Sequence, residues 1–261
     1  MSAEVIFRHA EPVMGTIVSF DVRPQGLAYE ATRAAIVRAC EVLHRADQVF
    51  SLYQAGSAFS RLRRGELEWD ECPSEIPQVL ALCERAREAS DGWFDPWAME
   101  GGVDPTGLVK GWAAREAADA LRQAGAGAAL VNAAGDIATF GQPAGGHGWV
   151  VGVRSPTAPH ELLCVVETAE AIATSGSYER GEHVRDPRSG APAAAAISAT
   201  VCGPDLAFAD AFATSLLAAG EAGLAPVQRA GYEALIVAPD GARAETQSFP
   251  RIRTSEDPAP V

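Results

Sequence analysis

The segment Leu206–Ala219 constrains this chain most, because Leu206, Phe208, Ala209, Ala211, Phe212, Ala213, Leu216 and Leu217 make it a helix that is apolar nearly all round. A helix with no solvent face belongs inside a core, and this one carries a carboxylate, Asp210, in with it. A buried carboxylate needs a partner. Thr214 follows one turn later on the same face. Two hard oxygen ligands at that spacing suit magnesium, which prefers oxygen and shares its coordination with substrate phosphates. Spacing alone also allows an exposed Asp with a Thr bonding back to its own helix.

With 261 residues, 48% of them hydrophobic, the chain can bury one large core around that helix. Ala35, Ile36, Ala39, Leu43, Ala46 and Val49 form a helical stripe over 28–50. A second helix is expected over 74–90, with Ser74 as N-cap and Gly92 beyond its end, and a third from about 108 to 123, closed by Gly125. From Ala129 the pattern turns to short β-type runs at 129–132, 137–140, 149–154, 162–167, 171–174 and 196–202. Their short connections favour antiparallel pairing. A helix near 224–230 and a hairpin turned by Pro239, Asp240 and Gly241 follow. The expected architecture is α+β, a single domain over 1–253 with mixed, largely antiparallel sheets flanked by helices, and a disordered tail over 254–261.

A formal net charge of -13 argues against a nucleic-acid or anionic-membrane surface. Five cysteines without C-x-x-C spacing disfavour a disulfide framework or a zinc site. Glu4, Arg8, His9 and Glu11 interrupt the first twenty residues, so no signal peptide or membrane insertion is expected, and the location expected is cytoplasmic.

Three further clusters carry possible chemistry. Asp104-Pro-Thr-Gly-Leu-Val-Lys110-Gly111 leads a glycine-containing turn into a helix and offers amides and a lysine to a phosphate; an ordinary helix cap at Thr106 is the plain alternative. His183-Val-Arg185-Asp186-Pro-Arg-Ser-Gly190 holds a general-base candidate and phosphate-clamping arginines, or is a solvated hairpin tip. Phe50-Ser51-Leu52-Tyr53, with Ser57 and Ser60, and Gly92-Trp93-Phe94-Asp95-Pro96 present aromatic faces for a flat heterocycle, or are simply core.

In this order the clusters resemble the ApbE family, the FAD:protein FMN transferases. The resemblance runs through Met14-Gly15-Thr16, Phe50-Ser51-x-Tyr53, Phe94-Asp95-Pro96, Asp104-x-x-Gly107-x-x-Lys110-Gly111, Asn132-Ala-Ala-Gly135-Asp136-Ile137, Ala173-Thr-Ser-Gly176-x-Tyr178, His183-x-x-Asp186-Pro-x-x-Gly190 and Ala209-Asp210-x-x-Ala213-Thr214. It implies magnesium held by Asp210, Thr214 and the Gly107 carbonyl, and FAD contacted by Met14, Tyr53, Trp93, Phe94, Asp95, Asp104, Lys110 and Arg185. His183 and Asp210 would activate the incoming hydroxyl. The implied activity is Mg-dependent transfer of FMN from FAD to a Thr or Ser hydroxyl of an acceptor flavoprotein, with release of AMP. The alternatives are an FAD pyrophosphatase and a non-catalytic FAD-binding protein. The sequence departs from the family pattern in three places: only Pro96 to Val103 separate Asp95 from Asp104, Ala134 stands where the third residue of the Asn132 motif is usually glycine, and Arg115 replaces a customary acid.

Overall fold

The computed structural model describes residues 5–99, 101–143, 146–158, 160–168, 170–176 and 184–252. The chain opens with a hairpin of β1 (Phe7–Val13) and β2 (Thr16–Arg23), then turns helical through α1 (Tyr29–Phe50), α2 (Ala58–Arg63), α3 (Glu75–Ala89) and α4 (Thr106–Gln123). Strands β3 (Ala128–Ala133), β4 (Asp136–Phe140), β5 (Trp149–Arg154), β6 (Leu162–Thr168), β7 (Ala171–Gly176) and β8 (Ser198–Gly203) follow. Helices α5 (Leu206–Ala219) and α6 (Leu224–Arg229) lead into the closing hairpin of β9 (Glu233–Val237) and β10 (Arg243–Glu245).

Eight strands form one sheet in the order β1-β2-β3-β4-β7-β8-β9-β10, and β5 pairs with β6 in a separate ribbon. Every strand pairing among the described residues is antiparallel, as the two-residue turns of β1–β2 and β3–β4 require for their own pairs. Side chains alternate between the sheet faces. Ala138, Ala173, Val201 and Ile236 join the large core beneath the helices, whereas Ile137, Ile172, Cys202 and Leu235 join Val153, Val166 and Phe249 under the ribbon. The central strands are covered on both sides, which is why β4 is buried along its whole length.

The all-apolar helix occupies the place its sequence demands: twelve residues of α5 are buried, Asp210 among them. It runs antiparallel to α4, with Gly107 against Thr214, Gly111 against Leu206 and Asp210, and Arg115 bonded to Asp205. Successive turns of one helix thus meet preceding turns of the other. Arg115 ties α4 to the N-cap of α5, since Asp205 accepts from Ala207 N–H at 2.8 Å and from Arg115 at 2.6 Å.

Two element ends differ from expectation for local reasons. Ser74 precedes α3 but makes no capping bond. An N-cap oxygen serves the second or third helical N–H; here the second, from Ile76, goes to the Pro73 carbonyl, and the third position is Pro77, which has no N–H. Helix α4 begins at Thr106, two residues before the expected start, because the Asp104 carboxylate accepts its N–H at 2.9 Å and its hydroxyl at 2.6 Å.

The β3–β4 hairpin turns on Ala134 and Gly135, both at positive φ (52° and 98°), as a two-residue turn of the kind that matches strand twist requires. A left-handed alanine is strained by roughly 1–2 kcal/mol. Ala134→Gly is therefore expected to raise stability by about 0.5–1 kcal/mol net of the extra unfolded-state entropy of glycine, read as an increased urea midpoint at constant slope. A lowered midpoint would show that the Ala134 methyl group packs more favourably than its backbone is strained.

Candidate active site

The sheet register gathers several turns at one end. Val18 pairs with Ala133 and Val13 with Thr16, so the Met14-Gly15 turn lies beside the Ala134-Gly135 turn. Strand β4 starts at that end and β7 finishes there, since Ile137 pairs with Ile172 and Ala138 with Ala171. The same end therefore presents Asp136, Thr174 and Ser175, and α4 brings its first turns to it.

Asp210 is 3% exposed. Its Oδ2 accepts the backbone N–H of Gly111 at 2.9 Å, across 99 residues of sequence. In a regular helix that N–H would serve the carbonyl four residues earlier, which is Gly107. The bond to Asp210 competes for that N–H. Gly107 also lies against Thr214: a Cβ built there would stand 3.3 Å from Thr214 Oγ1 and 3.2 Å from the Phe94 ring. The Thr214 hydroxyl is 3.4 Å from that of Ser175. The Asp210 carboxylate and the Thr214 hydroxyl thus meet the first turns of α4 one helical turn apart, and oxygen donors of this kind fit a hard divalent cation such as magnesium.

Next to Gly111, the Lys110 ammonium lies 2.5 Å from Asp136 Oδ2. Asp136 is fully buried and its second oxygen accepts from Thr174 N–H at 3.2 Å. The Lys110 side chain keeps 24% of its exposure, so its tip is held by the sheet while part of it still faces outward. Asp136 belongs to the Asn132 motif, whose spacing by itself assigns it no role. Its partner is on another element, and no local pattern announces the pair.

Two expected clusters meet. The Arg188 guanidinium stacks 3.5 Å from the centre of the Trp93 ring and donates to the Asp91 carbonyl at 3.2 Å. Arg185 donates to the Gly190 carbonyl at 3.3 Å. Asp186 closes the turn by accepting from Ser189 Oγ at 2.7 Å and Arg188 N–H at 2.9 Å, and the Ser189 hydroxyl is the main reason its carboxyl sits below the ordinary carboxylate range. His183 and Tyr178 lie outside the described residues, as does the tail 254–261.

The remaining expected residues divide between fold and surface. Phe94 is buried against Gly107, and Asp95 accepts from Trp97 N–H at 2.9 Å and from Arg87 at 3.0 Å. Ser57 and Ser60 both donate to the Ser51 carbonyl, at 2.7 and 3.0 Å. Phe50 is core, whereas the Tyr53 ring is 96% exposed. Met14 sits at its hairpin tip at φ 53°. No helix among the described residues is long and apolar enough to cross a membrane.

The sequence model of the ApbE family matches residues 14–101 and 98–236. An FAD:protein FMN transferase of Klebsiella pneumoniae (strain 342) is 32% identical over 148 residues, 52% of this chain and 45% of that protein. One of Rhodobacter capsulatus is 34% identical over 128 residues, 46% of this chain and 24% of that protein. The matched stretches thus span less than half the length of these curated relatives. The ApbE protein of Thermotoga maritima MSB8 superposes with a TM-score of 0.82 at 22% identity, over 94% of this chain and 98% of the other, which shows the same fold.

Proposed function

The chain belongs to the ApbE family, and from that premise we propose that it transfers the FMN half of FAD to a Thr or Ser hydroxyl of an acceptor flavoprotein and releases AMP. The observation that carries this reading is the convergence on α4 of the Asp210 carboxylate at Gly111 and the Asp136-held ammonium of Lys110. Asp136 holds the ammonium of Lys110 and Asp210 holds the amide of the next residue, so a carboxylate and a lysine are set side by side on one helix. The Gly107 carbonyl, Asp210 and Thr214 would hold magnesium, which when bound supplies positive charge against the pyrophosphate oxygens.

The chain's own residues supply positioning and electrostatics, the two demands of phosphoryl transfer. Asp136 fixes the position of the Lys110 ammonium, a three-donor group suited to phosphate oxygens. Trp93, braced on one side by Arg188, offers an aromatic face for the flavin ring. Met14, Tyr53, Asp95, Asp104 and Arg185 are proposed as further FAD contacts. In the reaction the acceptor oxygen bonds to the FMN-side phosphorus, the P–O–P bridge breaks, and AMP leaves with the electron pair. The hydroxyl proton goes to a base, for which Asp210 and His183 are the candidates.

The test is purified protein with FAD and magnesium, with and without EDTA, analysed by chromatography for AMP and by mass spectrometry of an added Thr- or Ser-bearing flavoprotein. AMP together with an FMN-sized adduct, both abolished by EDTA, is the expected result. AMP with free FMN alone would replace transfer by hydrolysis, and bound FAD without AMP would reduce the protein to a flavin binder.

A further inference from the structure

A second ligand cluster lies on the N-terminal hairpin, built from none of the residues proposed above. His9 and Glu11 are two apart on the edge strand β1 and so share one of its faces. Cys40 and His44 are four apart on α1 and share one of its faces. The strand and the helix pack together, and the four side chains meet at the Glu11 carboxylate. His9 Nε2 is 2.9 Å from one Glu11 oxygen and His44 Nε2 is 2.7 Å from the other. The ligand atoms of His9, Glu11 and Cys40 all lie within 4.8 Å of one another.

We propose that His9, Glu11 and Cys40 bind a zinc-class divalent ion, with His44 orienting Glu11 through its second oxygen and water completing the coordination. Nitrogen, oxygen and sulfur donors in one cluster match zinc, whose protein sites draw on all three and, when open, use three residues plus water. Bonds of about 2.0–2.3 Å to one ion require ligand atoms nearer to each other than the present limit, a shift within reach of the two imidazoles, whose side chains keep 39% and 47% of their exposure. Cys40 is buried, so its thiol enters from the fixed side. The His44–Glu11 bond is the supporting contact that metal-bound carboxylates commonly receive. Charge also balances, because a thiolate and a carboxylate together neutralise a divalent cation. Burial, and then Glu11, push the thiol of Cys40 up to about 11, so only a bound cation makes thiolate the favoured form at neutral pH. The ion would clasp the exposed edge of the sheet to its longest helix.

The probe is cobalt(II), titrated into untagged, reduced, EDTA-treated protein and followed by absorption. One equivalent is expected to give a tetrahedral d–d spectrum with a thiolate-to-cobalt charge-transfer band, displaced by one equivalent of zinc and untouched by excess magnesium. Cys40→Ser should remove the charge-transfer band, and His9→Asn, at a partly exposed position, should weaken cobalt binding about tenfold or more. Cys72→Ser should change neither. The proposal is overturned if folded wild-type protein gives no such spectrum, if Cys40→Ser retains the band, or if magnesium displaces the ion. Since the readout needs no flavin, failure here leaves the transferase reading standing, and the reverse also holds.

Discussion

Asp210→Asn is expected to cut AMP release and flavin transfer by about 10³-fold, roughly 4 kcal/mol of barrier, with little change in thermal stability. The two effects separate because Asp210 has two tasks. Its oxygen accepts the Gly111 N–H and so fixes α5 against α4, a role that the asparagine carbonyl keeps. Its negative charge is the part that a divalent cation requires, and asparagine lacks it. Conservation of the hydrogen bond with loss of the charge is therefore the informative change, whereas alanine would confound the two by leaving the Gly111 amide without an acceptor. The measurement is a steady-state AMP assay beside a melting curve for each protein. Full activity in Asp210→Asn would assign this carboxylate to helix packing alone and move the metal elsewhere. Equal loss of stability and activity would show that its charge, too, serves the fold.

The fold was legible where one element declares its own environment. Helix α5 was bounded correctly at both ends because an all-apolar stretch flanked by Asp205 and Gly220 has one place to go. The β1–β2 hairpin is readable from the alternation of Val18, Phe20 and Val22, all buried, with the polar positions between them. Helix α2 is six residues long, too short to show a period. In the site, Asp210 and Thr214 were readable from spacing on one helix, and the Lys110 turn from its own residues. What was not readable is every pairing across elements: Lys110 with Asp136, Trp93 with Arg188 and Asp210 with the Gly111 amide. Each joins residues whose separation in sequence carries no periodicity, so only the packed sheet and helices decide that they meet.

Gly111→Ala is expected to be the most destabilising single-methyl change in the α4–α5 pair, and the magnitudes decide its sign. Alanine at this helical position gains about 1 kcal/mol of intrinsic propensity over glycine. Against that, the added Cβ would stand 2.4 Å from the Leu206 carbonyl oxygen and 2.8 Å from the Asp210 Cβ. The first obstacle is backbone, which no rotamer change can move aside, so the two helices must part along a face where both are rich in small buried residues. Overpacking of this severity costs about 3 kcal/mol, and the net loss of about 2 kcal/mol should lower the Tm by roughly 4–8 °C for a chain of this size. Gly56→Ala is the control, because its Cβ would meet nothing within 4 Å, and it should leave the Tm nearly unchanged. Gly107→Ala falls between them: its Cβ would stand 3.2 Å from the buried Phe94 ring and 3.3 Å from Thr214 Oγ1, both side chains that can give by a few tenths of an ångström, so its stability loss should be smaller than that of Gly111→Ala and be accompanied by lower activity. Melting curves with parallel AMP assays on the three proteins check this order. A Gly111→Ala protein as stable as wild type would mean that α4 and α5 can slide apart without cost, and that the close approach setting Asp210 on the Gly111 amide is not what fixes the geometry of the site.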